Sequence, residues 1–179
     1  MAGERSHVDY DRIASTYDRR FKGASRSGTT QALLGLVRDL LQARSRPPQQ
    51  SRAGFHTRHP RVLEVGCGTG KWLADLQASL PCGEKPFAFG LDLSMGMLQQ
   101  ARRRGPSLGL ARGRAEQLPL PAAAFDLVYC VNAIHHFWEP RAFVSQARRL
   151  LRPGGKLAVI GMDPHARKES WYVYRDRKS

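Results

Sequence analysis

The apolar positions of this chain first follow a helical period and later form short runs separated by helical stretches. From Thr29 to Ala43 the apolar residues recur at three- and four-residue spacing, which predicts an amphipathic helix. Residues Val8 to Phe21 are also predicted to be helical. The predicted strands are Arg61–Val65, Pro86–Leu91, Leu108–Ala111, Phe125–Val131 and Lys156–Gly161. Five strands spaced by helices predict an α/β fold with a mostly parallel sheet covered on both faces.

The helices between these strands are predicted at Lys71–Ser79, from Ser94 through Arg104, and at Arg141–Leu151. Ser94 can cap the second of them, and Pro153-Gly154-Gly155 is expected to end the third. The stretch 45–60 is rich in Pro and Gln and has no period, which predicts a loop. The expected organisation is a helical segment 1–45, a linker 46–60, a sheet-containing core 61–162 and a tail 163–179.

The residues that point to ligand binding follow the first two predicted strands. Gly66, Gly68 and Gly70 lie in the loop EVGCGTG, and glycines there allow a tight turn and close approach of the backbone to a ligand. A dinucleotide fingerprint would need glycine at position 71, which is Lys71. Asp92 ends the second strand, where an acid can bind two ribose hydroxyls. The alternative for Asp92 is an acid that only flanks the next helix.

Four ordered motifs make the chain resemble the class I S-adenosylmethionine (SAM)-dependent methyltransferases. They are VLEVGCGTG, GLDLSMGML, RAEQLPLPAAAFDLVYCVNAIHHF and LRPGGKL, and they span residues 62–157. The resemblance is close to the subgroup that includes ubiquinone and menaquinone C-methyltransferases and many small-molecule enzymes. The segment 10–18, YDRIASTYD, also resembles the cofactor-covering helix of that family. The resemblance implies a Rossmann-like, doubly wound fold and SAM as the cofactor.

The resemblance also implies which residues bind SAM. They are Tyr17, Glu64, Gly66, Cys67, Gly68, Gly70, Asp92, Leu93, Met97, Arg114, Ala115 and Asn132. The glycine loop, with Asn132, is expected around the methionyl part, Asp92 at the ribose, and Leu93 and Met97 against the adenine. Arg114 stands where many relatives have Asp, so only a backbone contact from Arg114-Ala115 to the adenine edge is expected. Tyr17 is expected to close over the cofactor, or else to be a core aromatic.

His135 and His136 follow the fourth strand and are the candidates for a general base. A base is required only if the acceptor must lose a proton, because SAM already carries an activated methyl group. A His-His pair at this position is widespread in the family among members with dissimilar acceptors. We therefore assign no catalytic residue from the sequence.

Charge and cysteine content bear on partners and location. The chain has a formal charge of +14, and ten basic residues but one acid lie between Arg19 and Arg61. A second basic cluster comprises Arg102, Arg103, Arg104, Arg112 and Arg114. Such fields attract nucleic acid or other polyanions, although solvated helix faces would look the same. The three cysteines show no CxxC spacing, which indicates neither a disulfide framework nor a metal site and favours the cytoplasm. No apolar run is long enough to span a membrane.

The end of the chain departs from the family pattern, which has seven strands. With five strands predicted, Leu157–Ile160 is expected to form an exposed apolar sheet edge that invites self-association. The tail contains the aromatic stretch WYVY at 171–174, which is expected to cover at most part of that edge. Three functions stay open at this point: methylation of a small molecule, methylation of RNA or another polyanion, and a fragment that binds SAM or a partner without turnover.

Overall fold

The computed structural model of the chain describes residues 8–21, 27–45, 59–162 and 169–175. The helices are α1 (Tyr10–Ile13), α2 (Ser27–Ser45), α3 (Lys71–Ala78), α4 (Met95–Arg104) and α5 (Pro140–Leu150). Short 3-10 segments occur at Tyr17–Phe21, Cys82–Glu84 and Ile134–His136. The strands are β1 (Arg61–Val65), β2 (Phe87–Asp92), β3 (Gly109–Arg112), β4 (Phe125–Val131), β5 (Leu151–Met162) and β6 (Glu169–Arg175).

The strands form one sheet in the order β3-β2-β1-β4-β5-β6. The first five are parallel, as the alternation of strands and helices predicted. Strand order reverses beside β1, because β2 and β4 lie on its two sides. Ligands of open α/β sheets bind outside the carboxyl ends of the strands at such a point. The Rossmann-like, doubly wound fold is therefore confirmed.

Each face of the sheet is covered by apolar side chains. Helices α2, α3 and α4 pack on one face, where Val37, Leu73 and Leu98 join the same cluster as Tyr129. Helix α5 and the segment 113–124 pack on the other face with Val128. All seven residues of β4 are buried, as expected for a central strand of a parallel sheet. The rigid carboxyl edge of this sheet carries the loops that form the candidate site.

The sequence predicted that the glycine-containing stretch after α5 would end that helix, and this prediction is wrong. Helix α5 ends at Leu150, and Pro153-Gly154-Gly155 lies inside β5. Pairing with β4 jumps from Phe125–Leu151 to Leu127–Lys156, so the intervening residues form a bulge. Gly154 has φ +76°, a conformation that favours glycine. The glycines thus serve a strand irregularity and not a helix cap.

The prediction of an open sheet edge at β5 is also wrong. Strand β6 runs antiparallel to β5 and pairs with it from Lys156↔Arg175 to Met162↔Glu169. An antiparallel partner needs only a short connection, which the tail is long enough to provide. The segment Leu157–Ile160 is therefore paired on both sides. Six strands are described where five were predicted, and residues 163–168 and 176–179 of the predicted tail lie outside the described residues.

The N-terminal segment is less regular than the single helix predicted over 8–21. Asp9 caps α1 by accepting from the Arg12 N–H, but the helix ends after one turn. The Thr16 hydroxyl then donates to the Ile13 carbonyl, an alternative to the helical backbone bond that favours a turn. Of the predicted linker 46–60, residues 46–58 lie outside the described residues. Among the helices in the described ranges, none is long and apolar enough to cross a membrane.

Candidate functional site

Four loops meet at the carboxyl edge of the sheet, after β1, β2, β3 and β4. The Gly66 and Cys67 N–H groups both donate to the Leu91 carbonyl, at 2.8 and 3.0 Å, which joins the first loop to β2. The Gly113 N–H donates to the Asp92 carbonyl at 3.0 Å, which joins the third loop to the same strand. The predicted loop residues are thereby brought to one edge.

All three glycines of the first loop have positive φ angles, but their surroundings differ. They are +73° at Gly66, +53° at Gly68 and +69° at Gly70. A Cβ at Gly66 would lie 2.6 Å from the Ala133 Cβ, and one at Gly70 would lie 2.8 Å from the Ala101 Cβ. A Cβ at Gly68 would meet no atom within 4 Å. Gly66 and Gly70 are therefore required for packing, whereas the position at Gly68 opens onto free space.

Asp92 is bonded by its carboxylate to the backbone on both sides of the site. Its Oδ2 accepts from the Gly68 N–H at 2.7 Å, and its Oδ1 accepts from the Ser94 N–H at 2.9 Å. Burial raises the pKa of Asp92, while hydrogen bonds from the backbone of Ser94, Gly68 and Leu93 oppose that rise. The carboxylate has about four lone-pair positions, so it keeps acceptor capacity for a ligand hydroxyl.

Glu64 is fully buried beneath the glycine loop. Its Oε2 accepts from the Tyr129 hydroxyl at 3.4 Å, and its Oε1 has no hydrogen-bond partner among the described residues. Burial raises the pKa of Glu64 well above the ordinary value of 4.5. The Cys67 thiol is buried in the same apolar cluster, and burial raises its pKa as well. Only the backbone of Cys67 is thus available to a ligand at the loop surface.

The predicted adenine-side residues differ in exposure. Leu93 follows Asp92 and is 43% exposed, whereas Met97 in α4 is 1% exposed. Ala115 is buried, and Arg114 is exposed and forms an isolated antiparallel bridge with Gln117. Of the predicted adenine-side residues, Leu93 and Arg114 therefore lie at the surface.

The loop after β4 begins with Asn132, which has φ +50°. Its N–H donates to the Ile160 carbonyl at 2.7 Å, so its position is fixed by β5. Next to it, Ala133 lies against Gly66, as the close approach of a Cβ there shows. His135 and His136 follow in a 3-10 turn with exposed side chains whose rings are 3.9 Å apart. Asn132 thus begins the loop that lies against the glycine loop.

Residues 9–19, named here the cap, lie over these loops. Tyr17 is half-buried and stacks edge-on against Tyr10, with ring centroids 6.0 Å apart. Asp11 and Asp18 contact the loops after β2 and β1. Neither acid is among the site residues predicted from the sequence. The signal was present, because the dipeptide Tyr-Asp occurs twice, at 10–11 and 17–18.

Three features of this edge fit SAM. The open space at Gly68 can take a ligand close to the backbone, which a side chain there would obstruct. Asp92 is fixed by two N–H donors and keeps acceptor capacity for a pair of ribose hydroxyls. The buried Glu64 carboxyl is the third feature, since its Oε1 has no hydrogen-bond partner in the described part of the chain.

Comparison with known proteins gives the same assignment. The methyltransferase domain family matches residues 63–159, more than half of the chain. A Mycolicibacterium smegmatis protein named "Probable S-adenosylmethionine-dependent methyltransferase" is 39% identical over 98 residues, covering 55% of this chain and 36% of that protein. The phthiotriol/phenolphthiotriol dimycocerosates methyltransferase of Mycobacterium leprae is 35% identical over 116 residues, covering 63% and 42%.

A solved structure with the same fold is that of SAM-bound CalS10, an amino pentose methyltransferase from Micromonospora echinaspora involved in calicheamicin biosynthesis. It aligns with a TM-score of 0.59 and 26% identity, over 88% of this chain and 58% of that one. The chain spans about 36–42% of the length of the two mycobacterial relatives. From the domain match, the fold and the site together, the chain belongs to the class I SAM-dependent methyltransferases.

Proposed function

We propose that this chain binds SAM at the carboxyl edge of its sheet and transfers the methyl group to a small-molecule acceptor. The observation that carries the proposal is the hydrogen bond from the Gly68 N–H to Asp92 beside an open glycine surface. The Asp92 carboxylate, which would bind the ribose, therefore lies next to the loop backbone that would lie along the methionyl part of SAM. The geometry supports one continuous binding strip across the loops after β1 and β2.

The proposed roles follow the position of each group. The backbone at Gly66, Cys67, Gly68 and Gly70 would border the methionyl part, with the buried Glu64 carboxyl below it and Asn132 beside it. Asp92 would accept from the ribose hydroxyls. Leu93, Met97, Arg114 and Ala115 would border the adenine, with Leu93 as the exposed apolar surface and Met97 buried behind it. Tyr17 of the cap would close the site from above.

When bound, SAM supplies a methyl group on a positively charged sulfur. The chain then has to orient the acceptor in line with that group and keep water out. The cap and the turn at His135–His136 lie where they can do both. We propose no catalytic base, since a base is needed only for an acceptor that must lose a proton.

A small-molecule acceptor is favoured by the relatives. One is named for a dimycocerosate lipid and another for an amino pentose. These names describe those proteins, and the acceptor of this chain is proposed only at the level of a small organic molecule.

Titration calorimetry with SAM and with S-adenosylhomocysteine (SAH) tests the binding step. We expect binding by the wild-type chain and a loss with Asp92→Ala. Incubation with SAM and a panel of lipid and sugar acceptors, followed by SAH release, tests turnover. Absence of binding by a folded wild-type chain would overturn the proposal. Binding with no turnover on any acceptor would favour a binding module instead.

A second candidate, methylation of RNA or another polyanion, is favoured by exposed arginines at the same edge. Arg112 is the register partner of Asp92 in the β2–β3 pair, and both Arg112 and Arg114 are exposed. Gel-shift titration with RNA at 50 and 300 mM NaCl tests this candidate. Tight binding that weakens steeply with salt would support it, and no shift at 50 mM would rule it out.

We also propose a cytoplasmic location, which the state of the cysteines supports. Cys67 and Cys130 are buried, Cys82 is exposed, and all three are unpaired. Free thiols are typical of a reducing compartment. Fractionation of cells that express the tagged chain would test the location.

A further inference from the structure

Two aspartates of the cap, seven positions apart, each contact a hydroxyl residue of the core. Asp11 Oδ1 accepts from the Ser94 hydroxyl at 2.7 Å and from the Gly96 N–H at 2.6 Å. Asp18 Oδ1 accepts from the Thr69 hydroxyl at 2.9 Å, and its Oδ2 pairs with Arg104. Ser94 and Thr69 are both buried, so the cap reaches polar groups inside the loops and not merely their surface.

These two hydroxyl residues lie on either side of Asp92. Ser94 donates its own N–H to Asp92 Oδ1, and Thr69 directly follows Gly68, whose N–H donates to Asp92 Oδ2. Two chains of contacts therefore converge on one carboxylate. One runs from Asp11 through Ser94, and the other runs from Asp18 through Thr69 and its neighbour.

Few apolar side chains of the described cap are buried. Helix α1 buries none of its residues, and Ala14 is the buried apolar residue of the cap. At Gly96 the absence of a side chain admits α1, since a Cβ there would lie 3.1 Å from the Asp11 carbonyl oxygen. A segment held mainly by polar contacts opens more easily than one held by a core. The hydrogen bonds from Gly96 and Ser94 lower the pKa of Asp11, which keeps it ionised and a strong acceptor.

Arg104 strengthens the second chain of contacts. Its guanidinium donates to the Thr69 carbonyl at 2.9 Å and to the Thr69 hydroxyl at 2.7 Å while it pairs with Asp18. It thereby joins the cap, the glycine loop and the end of α4. Loss of this group would loosen all three at once.

We propose, on the basis of the function proposed above, that Asp11 and Asp18 are positioning residues for the ribose site. They hold Ser94 and the Gly68–Thr69 backbone in the orientation that fixes Asp92, and they keep the cap closed over a bound nucleoside. Release of the cofactor product then requires these contacts to break. The two aspartates therefore control how long SAH stays bound more than how fast it arrives.

The test is the dissociation rate of SAH from the full chain, measured by surface plasmon resonance. We expect Asp11→Ala and Asp18→Ala each to release SAH about tenfold faster, since each removes hydrogen bonds to a charged group. Asp11→Asn, which keeps an acceptor oxygen, should recover part of the loss. Arg104→Gln should release SAH at least as fast as Asp18→Ala, because it also removes two hydrogen bonds to Thr69. The effect of the combination should be smaller than the product of the two single effects, because the residues share one network.

The controls are Glu84→Gln and Arg141→Gln, which remove exposed charges away from the cap. They should release SAH at the wild-type rate. The melting temperature of each unliganded cap variant should stay within about 2 °C of wild type, because the cap contributes few buried apolar side chains to the core.

Three outcomes are distinguishable. If wild type binds SAH and Asp92→Ala does not, but the cap variants match the controls, the inference is wrong and the proposed function stands. If the melting temperatures of the cap variants fall in proportion to their loss of affinity for SAH, the role of the two aspartates is structural and the inference is again wrong. If folded wild type fails to bind SAH, the proposed function and this inference both fail.

Discussion

The hydroxyl of Tyr10 lies 2.7 Å from Nε2 of His136, across 126 positions of the chain. The two rings are also in edge-on contact, with centroids 5.3 Å apart. His136 therefore has a role in fixing the cap to the turn after β4, apart from any role as a base.

From this contact we expect His136→Ala and Tyr10→Phe to have small and similar effects on SAH binding. An exposed neutral hydrogen bond contributes about 1 kcal/mol, which corresponds to a change of about fivefold or less in affinity. The double variant should be no weaker than either single variant. Calorimetry measures all three. A much larger loss with His136→Ala alone would place that histidine against the cofactor.

Removal of the Asp92 carboxylate is expected to lower affinity for SAM at least tenfold. A hydrogen bond to a charged group is worth about 1.5–3 kcal/mol, and two are proposed here. Asp75→Ala is the matched control, because Asp75 pairs with Lys71 on α3 and has no contact with the proposed ribose site. Equal affinities for wild type and Asp92→Ala would contradict the assignment.

The buried Glu64 carboxyl predicts a dependence of stability on pH. Its pKa is raised on folding, so the folded chain holds the proton more tightly than the unfolded chain. Stability from this group is fully present below about 4.5 and is lost as the pH rises towards the folded pKa. Glu64→Gln lacks this loss and keeps an acceptor for Tyr129.

We therefore expect Glu64→Gln to raise the melting temperature of the unliganded chain more at pH 8.5 than at pH 5. Calorimetric scans of both proteins at the two pH values provide the measurement. A stabilisation that is equal at both values, or larger at pH 5, would show that the Glu64 carboxyl does not titrate as its burial implies.

Two glycines of the first loop should respond differently to substitution. Gly66→Ala should destabilise the fold by about 2–4 kcal/mol, because the Cβ would lie 2.6 Å from Ala133 at a positive φ. Gly68→Ala should cost only about 1–2 kcal/mol, the strain of the left-handed conformation. Gly68→Val should abolish SAM binding in a chain that still folds. Urea titration and calorimetry together separate the two effects, and normal SAM binding by Gly68→Val would exclude this loop as the cofactor site.

Strand β6 should keep the sheet from associating. Deletion of residues 169–179 would leave the β5 edge, including Leu157–Ile160, without its partner. Such an edge pairs with other chains, so we expect the deletion variant to sediment as dimers or larger species. Deletion of residues 176–179 alone is the control. A monomeric variant without β6 would show that the β5 edge needs no cover.

Periodicity and turn residues predicted β1 and β4 to the residue and placed α4 with its Ser94 cap. These features depend on neighbours in sequence. Pro153-Gly154-Gly155 was assigned to a helix end because Gly and Pro signal both helix stops and strand bulges, and only pairing with β4 decides between them. Strand β6 was missed because only six residues separate it from β5, too few for the helix of a βαβ unit that the rest of the pattern had set.

The candidate site divides in the same way. The glycine loop and Asp92 are visible in the sequence because each ends a strand and the strands share an edge. The contacts of Asp11 with Ser94 and of Asp18 with Arg104 join residues more than 80 positions apart. Spacing along the chain carries no information about such pairs. Sequence could therefore indicate where the cofactor lies, but not what holds the cap above it.

The unequal surroundings of Gly66, Gly68 and Gly70 have a consequence for how this loop can diverge. A descendant that no longer transferred methyl groups but still had to fold would still require glycine at 66 and 70, where Ala133 and Ala101 leave no room for a side chain. It could accept another residue at 68 at modest cost. A side chain at that single position, with its two neighbours intact, would thus mark a chain that has kept this architecture and given up its cofactor.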